Sequence, residues 1–327
     1  MISDQRINTR VIGVDIDVVE TEIAIVGIRG DIIAKDSIRT SDYAEPNSFA
    51  MALAEHAIML AEANGGYENI RSMGVSAPSA NYMTGCIENA ANLPWKGVVP
   101  LAAMLRDRLG LAVGVANDAH TAALGEKEYG SAHGMQDFVV ITISHGGLGS
   151  CMFCDTHVYL GNNGFAGEFG HTCVEIDGRP CGCGRRGCLE TYVSGRGVTE
   201  TAQEMLADNA VASMLRDTDL SPQAITKCCE QGDAVAIEVM RKTGEILGTA
   251  LANYSSIINP EAFILTGEMT KVGQWMLEPA QKAFNENVFH NTCGKVKLLV
   301  SILDDDERDV LGASALAWEL KEYSLFK

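Results

Sequence analysis

The sequence is short of basic residues. It contains 25 Lys and Arg against 43 Asp and Glu, which gives a formal net charge of −18 at pH 7. Surfaces that bind nucleic acid depend on clustered Lys and Arg that displace counterions from phosphates. We therefore expect no nucleic-acid partner. Any phosphate site must use local backbone N–H groups and a divalent cation.

Long apolar runs are missing as well. No stretch reaches the roughly 18 apolar residues of a membrane span, and residues 1–6 lack the apolar segment of a signal peptide. We expect a cytoplasmic protein that does not contact a membrane. The 46% apolar and 21% charged residues are typical of a globular α/β protein, and 327 residues favour two domains over a single core.

Strand and helix patterns alternate along the chain, which favours mixed sheets covered by helices. A hairpin is predicted over 11–26 and 31–38, and a second Gly-bearing strand pair flanks residues 144–150. These two patterns hint at two related lobes. The predicted helices cover 49–63, 101–109, 198–206, 235–257, 272–283 and 311–322, and the other predicted strands cover 70–77, 112–116 and 262–265.

The strongest motif is a cluster of metal-binding residue types. Cys181, Cys183 and Cys188 lie in Cys-Gly-Cys-Gly-Arg-Arg-Gly-Cys, and His171 precedes them. Three thiolates and one imidazole suit tetrahedral zinc and leave no open coordination position, so we interpret the site as structural. Gly182, Gly184 and Gly187 would let the loop fold tightly. The alternative is that these are ordinary core cysteines; in a cytosolic chain, disulfides are disfavoured.

A family resemblance lies in the motifs Glu168-Phe169-Gly170-His171, Cys181-Gly182-Cys183-Gly184 and Gly187-Cys188-Leu189-Glu190. The chain resembles the ROK family of bacterial sugar kinases and repressors, especially its glucokinase-type members. The resemblance implies a two-lobed, actin-like (ribonuclease H-like) sugar-kinase fold and a homodimer. We expect a smaller lobe over 1–118 and a larger lobe over 119–310. A terminal helix over 311–327 is expected to pack back on the first lobe. We also expect the DNA-binding module of the family's repressors to be absent.

The resemblance assigns the catalytic base to Asp118, which would accept the proton of a sugar hydroxyl as it attacks the γ-phosphate of ATP. From the residues alone, Asp118 could equally cap the following helix. Sugar hydroxyls would be bound by Asn92, Asn117, Glu168, His171 and Glu190. Asn92 also fits a simple turn before Pro94.

The phosphate loops depart from the family pattern. The family has Asp-x-Gly-Gly-Thr at the first turn, where this chain has Asp15-Ile16-Asp17-Val18-Val19-Glu20, and the two valines resist positive φ angles. Asp15 is retained and could order water bound to magnesium. The remaining nucleotide contacts are expected from Gly146, Gly149, Gly267 and Gly312.

Two functions follow from this pattern. The first is an ATP-dependent, glucokinase-type transfer of phosphate to a hexose such as glucose, with structural zinc and Mg-ATP. The second is a non-enzymatic sugar-binding or regulatory protein on the same scaffold, because the carboxylates of Asp17 and Glu20 would repel a triphosphate. The preferred hexose is not determined by residues that contact hydroxyls common to many hexoses.

Overall fold

The computed structural model describes residues 9–90, 92–208, 211–304 and 307–320. Its strands are β1 (Arg10–Ile16), β2 (Glu20–Gly27), β3 (Ile32–Arg39), β4 (Ile70–Ser76), β5 (Ala80–Asn81), β6 (Cys86–Glu88), β7 (Val98–Val99), β8 (Ala112–Ala116), β9 (Phe138–Ile143), β10 (Leu148–Cys154), β11 (His157–Val158), β12 (Ala262–Thr266) and β13 (Lys297–Val300).

The α-helices of the same residues are α1 (Pro46–Ala63), α2 (Leu101–Leu109), α3 (Asp118–Glu128), α4 (Glu190–Val193), α5 (Gly195–Met205), α6 (Pro222–Glu230), α7 (Ala234–Ile258), α8 (Gln274–Asn287) and α9 (Arg308–Glu319). None of the described helices is long and apolar enough to cross a membrane.

Local sequence explains where the long helices begin and end. Pro46 lies in the first turn of α1, where its missing N–H costs nothing. The Asp233 carboxylate accepts hydrogen bonds from Val235 N and Ala236 N at the start of α7. Asn259 ends that helix in the left-handed conformation, with φ 51°, and Pro260 prevents its continuation. The six helices expected from periodicity are all present, with shifts of a few residues at their ends.

The chain forms two compact units. The first contains residues 1–133 and 302–327, and the second contains residues 134–301. This division differs from the boundary expected after Asp118. The reason is that α3 follows Asp118 and packs against α9 of the first unit, where a Cβ on Gly312 would lie 2.4 Å from Thr121 O. Part of the expected terminal segment, 321–327, lies outside the described residues.

The first unit is built on the sheet β3-β2-β1-β4-β8. One face packs against α1 and α2 through buried side chains that include Phe49 and Trp95, whose rings are 4.5 Å apart. On the other face, α9 approaches β1 and β4 so closely that a Cβ on Gly74 would lie 2.0 Å from Ala313 O. The helix therefore packs directly on the strand backbone. A small three-stranded sheet, β5-β6-β7, was not predicted.

The second unit is built on the sheet β11-β10-β9-β12-β13. Its core consists of the inner sides of these strands and of α5 to α8, with Phe263 and Phe284 fully buried edge to face. In both units a hairpin is followed by two parallel strands, since β1 pairs with β2 and β4 as β9 pairs with β10 and β12. The predicted internal repeat is thus confirmed at the level of strand order.

The close packing of α9 gives a test of the first unit. Gly74→Ala should destabilise the protein by about 3 kcal/mol, because the new methyl group meets backbone atoms that cannot move aside. Gly114→Ala is the control, since its Cβ would meet side chains and not backbone, those of Leu320 at 2.9 Å and Leu316 at 3.4 Å. Urea unfolding followed by circular dichroism should show a clear loss for Gly74→Ala and a small one for Gly114→Ala. Equal losses would contradict this packing.

Candidate functional site

Four potential metal ligands converge in the second unit. The ligand atoms of His171, Cys181, Cys183 and Cys188 all lie within 4.8 Å of one another. Cys183 Sγ and Cys188 Sγ are 3.7 Å apart, and His171 Nδ1 lies 3.7 Å from Cys181 Sγ. The residues that sequence spacing grouped together are therefore grouped in space.

Backbone geometry explains how a short loop delivers three thiols. Gly184 and Gly187 have positive φ values of 85° and 71°, and a Cβ on Gly187 would lie 1.7 Å from Glu175 O. Gly182 has a negative φ and open space around its Cβ position. The expectation that all three glycines are needed is therefore corrected: two are required by geometry and Gly182 is not.

Arg179 fastens this loop to the helices that follow it. Its side chain is buried, and its five N–H donors reach Glu204, Thr201 and the carbonyls of Thr191 and Gly197. The guanidinium also stacks on the Tyr192 ring at 4.7 Å. These contacts hold the loop to α4 and α5. They also fix the position of the start of the cysteine motif.

Glu190 links the cysteine cluster to the Gly-rich segment 144–149. Its Oε1 accepts from Cys181 Sγ at 2.9 Å and lies 3.5 Å from His171 Nδ1. A Cβ on Gly147 would lie 3.1 Å from Glu190 Oε2. Glu190 also lines a cavity of about 670 Å³ beside the cluster, together with His145, Ser194 and Arg196 among others. The carboxylate therefore lies where the cluster, the Gly-rich segment and the cavity meet.

The donor set fits zinc. Three thiolates and one imidazole are the ligands of closed, tetrahedral structural sites. Burial and the hydrogen bond to Glu190 raise the pKa of Cys181, whereas backbone hydrogen bonding near Arg185 lowers the pKa of Cys183. With four protein ligands, such a site would hold the loop in place and offer no position for substrate water.

In the first unit, the predicted catalytic residue begins a helix but does not cap it. The cap of α3 is Asn117, whose Oδ1 accepts from His120 N at 2.8 Å. Asp118 Oδ1 accepts from the adjacent Ala119 N at 2.9 Å. Since Asn117 already performs the capping role, the helix-cap explanation for Asp118 does not hold.

Asp118 belongs to a group of carboxylates. Desolvation, followed by repulsion from Asp309, raises the pKa of Asp15 to about 8, and Asp118 and Asp17 add to this effect. Desolvation also raises the pKa of Asp118, with Asp309 and Asp17 as further contributors. The Asp118 side chain is exposed, so a ligand can reach its carboxylate. The group is therefore an electronegative site that a cation would neutralise.

The first turn, residues 15–20, places its two valines in ordinary backbone conformations. Neither Val18 nor Val19 has a positive φ, and both side chains are exposed. Asp17 N donates to Glu20 O at 3.0 Å, and the Asp17 carboxylate accepts from Val18 N at 2.6 Å. The carboxylate of Asp17 therefore already accepts from one backbone N–H of this turn, that of Val18.

In the Gly-rich segment 144–149, a protein carboxylate again accepts from a backbone N–H group. The backbone N–H of His145 donates to the carboxylate of Glu268, which follows Gly267 just beyond β12. Gly146 is open, with no atom within 4 Å of its Cβ position, and Gly149 lies in β10. Gly267 has φ 92° and its Cβ would lie 2.5 Å from Ile143 O, so it is required by backbone packing. That Gly146, Gly149 and Gly267 contact a nucleotide stays a prediction.

The other predicted site residues divide between the units. Asn92, Asn117 and Asp118 belong to the first unit, while Glu168, His171 and Glu190 belong to the second. Asn92 is exposed in a loop before Trp95. Gly312 is buried inside α9 against the backbone of Thr121, so its place in the structure is explained by helix packing.

Three residues of the site were missed from the sequence. Asp309 reaches the carboxylate group from the C-terminal helix, Glu268 reaches the Gly-rich segment from beyond β12, and Arg179 fastens the cysteine loop. Glu268 carried a signal, since it directly follows Gly267, which was itself predicted as a nucleotide contact. Asp309 and Arg179 carried none.

Comparison with known proteins identifies the family. The sequence matches the ROK family over residues 11–319. This chain belongs to the ROK family. A glucokinase from Halalkalibacterium halodurans is 30% identical over 305 residues, covering 90% of this chain and 91% of the relative. A xylose repressor from Caldicellulosiruptor bescii is 28% identical over 253 residues, covering 76% of this chain and 63% of the repressor.

A solved structure supports the fold of this ROK protein. The ROK family glucokinase from Streptomyces griseus, in complex with glucose and AMPPNP, matches with a TM-score of 0.75 and 29% identity, covering 95% of this chain and all of that one. The expected two-lobed, actin-like sugar-kinase fold is confirmed. Because both kinases and repressors are among the relatives, family membership alone does not decide between enzyme and regulator.

The cysteine cluster predicts bound metal. Purified protein should contain about one zinc per chain, and Cys183→Ser should lose it and lower Tm by about 5–10 °C, because metal binding contributes to folding. Cys173→Ser is the matched control, since this exposed cysteine of the same region is outside the cluster. Metal analysis and thermal unfolding of both variants test this. Equal zinc content in both variants would contradict the site.

The carboxylate group predicts a pH effect. Because the pKa of Asp15 is raised from 3.8 to about 8, the folded state holds a proton that the unfolded state loses. Stability should therefore fall as pH rises from about 4 to about 8. In buffer without added divalent cation, Asp15→Asn should flatten this dependence and raise Tm at pH 8. Thermal unfolding across this range checks it, and an unchanged slope in the variant would refute the proton uptake.

Proposed function

We propose that this ROK protein is a sugar kinase that transfers the γ-phosphate of ATP to a hydroxyl of a hexose, with glucose as the first candidate. The observation that carries the proposal is Asp118, an exposed carboxylate with a raised pKa at the start of α3 that is not used as the helix cap. The similarity to glucokinases over nine-tenths of the chain supports it.

In this proposal Asp118 is the general base. A sugar hydroxyl is a weak nucleophile, and a carboxylate within hydrogen-bond reach orients it and accepts its proton as the oxygen attacks phosphorus. The raised pKa of Asp118 makes it a stronger base than an ordinary aspartate once it is ionised. Asp15 would order water on a magnesium ion that arrives with the nucleotide. That ion would supply positive charge to the phosphates.

Sugar recognition would use the polar residues that the resemblance assigns to hydroxyls. Asn117 uses its Oδ1 for the helix cap, which leaves its amide N–H groups to donate to a hydroxyl. In the second unit, Glu168, His171 and Glu190 would accept from or donate to hydroxyls, as Asn92 would in the first. Such fixed polar groups select a sugar strongly, because an absent hydroxyl leaves a buried partner unpaired.

Zinc in the cysteine cluster would be structural in this proposal. His171 directs Nδ1 toward Cys181 and Glu190, which leaves Nε2 on the other side of the ring. The cluster residues would thereby orient the imidazole for the sugar, as the outer partners of a metal ligand do in general. A homodimer and a cytoplasmic location stay predictions from the resemblance and the composition.

A second candidate is a sugar-responsive regulator without kinase activity. It is favoured by one observation: carboxylates of Asp17 and Glu268 accept from the backbone N–H groups of Val18 and His145, in the two segments assigned to phosphate. A xylose repressor among the relatives is consistent with this alternative. Under it, glucose would raise Tm while no sugar is phosphorylated.

The test compares Asp118→Asn with the unaltered protein. ADP release should be measured with ATP, magnesium and a panel of hexoses. The variant should lose about a thousandfold in kcat, because proton acceptance in the transition state is removed. Asp107→Asn, an exposed position on α2, should keep full activity. If the unaltered protein shows no turnover with any hexose while glucose still raises its Tm, the kinase proposal fails and the regulator is supported.

A further inference from the structure

We propose that Glu268 is a specificity-determining residue that acts as an internal competitor of the phosphate donor, with Asp17 playing the same part in the first turn. Each carboxylate would occupy a backbone N–H that a phosphate oxygen would otherwise use. This inference rests on the proposed function, because it assumes that each of these segments binds phosphate oxygens of a nucleotide. It goes beyond that function by naming the residues that would weaken donor binding.

The position of Glu268 is determined by the backbone around it. Gly267, with φ 92°, turns the chain at the end of β12, and Glu268 opens the short helical turn that follows. Since β12 and β9 are adjacent parallel strands, their carboxyl ends lie at the same edge of the sheet. The side chain of Glu268 therefore reaches the N–H of His145, just beyond β9.

Neighbouring donors of this segment are already used within the protein. Ser144 N donates to Gly147 O at 3.0 Å, and Gly195 N and Arg196 N at the start of α5 donate to the carbonyls of Ser144 and His145. These two N–H groups at the start of α5 therefore form hydrogen bonds with the Gly-rich segment itself. The His145 N–H is distinguished because its partner is an anion from a separate element.

Asp17 repeats this chemistry in the first unit. Its Oδ1 accepts from Val18 N at 2.6 Å, at a turn where small residues would otherwise let N–H groups close around phosphate. A carboxylate resembles a phosphate oxygen pair in charge and in its capacity to accept hydrogen bonds. Both segments thus carry an anion of the protein itself.

The consequence concerns the choice of ligand. A polyphosphate at either segment must displace the carboxylate there or bind beside it, and a like charge nearby disfavours its binding. An uncharged sugar meets no such competition. We therefore expect the protein to bind hexose readily without nucleotide and to bind polyphosphate weakly until the charge of Glu268 is removed.

The experiment measures donor affinity directly. Isothermal titration of the full chain with Mg-AMPPNP, and separately with magnesium tripolyphosphate, should be done for the unaltered protein, Glu268→Gln, Glu268→Ala and Asp17→Asn. Removing one charged competitor should lower Kd by about tenfold for both probes, as expected for a charge-assisted hydrogen bond. Tripolyphosphate lacks the nucleoside, so a shared gain places the competition at the phosphates.

Two matched controls separate competition from a general change of charge. Glu261→Gln removes a carboxylate at the opposite end of β12, where it accepts from Gln136 N at 2.7 Å. Asp36→Asn removes an aspartate that accepts from the following Ser37 N at 2.9 Å, as Asp17 does from Val18 N. Neither control should change Kd. Thermal unfolding and glucose binding establish that each variant is folded.

The outcomes distinguish this inference from the proposed function. Tighter binding of both probes in the Glu268 variants, with the controls unchanged, supports the competition even if no variant turns over. Unchanged Kd in folded Glu268→Gln and Glu268→Ala overturns it, even if the unaltered protein is an active kinase. A gain for Mg-AMPPNP without a gain for tripolyphosphate also overturns it, because the competition would then not lie at the phosphates.

Discussion

The convergence of His171 with three cysteines is the constraint on which the rest of the candidate site in the second unit depends. It brings Glu190 to the same place, since that carboxylate contacts both Cys181 and the ring of His171. Arg179 supports the arrangement from outside by fastening the loop to α4 and α5. A change at the cluster would therefore move groups assigned to ligand binding, although the cluster itself does no chemistry.

The residues proposed to bind the sugar and those proposed to bind phosphate differ in their contacts. On the side proposed for the sugar, Glu190 contacts both Cys181 and His171 of the cysteine cluster. On the phosphate side, protein carboxylates accept from the backbone N–H groups of Val18 and His145. Similar elements in the two units, each a hairpin followed by parallel strands, carry these two contacts.

Much of this could be predicted from the sequence, for physical reasons. The cysteine cluster is local, so the spacing of donors along the chain reports their convergence in space. Helix α2 and strand β8 carry clear periodic patterns and were predicted with their observed ends. The division into units was not predicted. It depends on the packing of α3 on α9, and these two helices are nearly 200 residues apart in the sequence.

Some features of the site had no local signal. Asp309 acts on Asp15 from the far end of the chain, so nothing near either residue indicates the pair. The role of Glu268 depends on the direction of one side chain after Gly267, which composition does not encode. The sequence did indicate that the phosphate segments are unusual. It did not show that carboxylates of the chain itself bind their N–H groups.

Zinc K-edge X-ray absorption of the purified protein tests the central claim most directly. Our account predicts a first shell of three sulfur atoms at about 2.3 Å and one nitrogen atom at about 2.0 Å, the distances of a closed thiolate and imidazole site. A spectrum without zinc, or with a shell of oxygen atoms, would contradict the convergence of His171, Cys181, Cys183 and Cys188 on one metal.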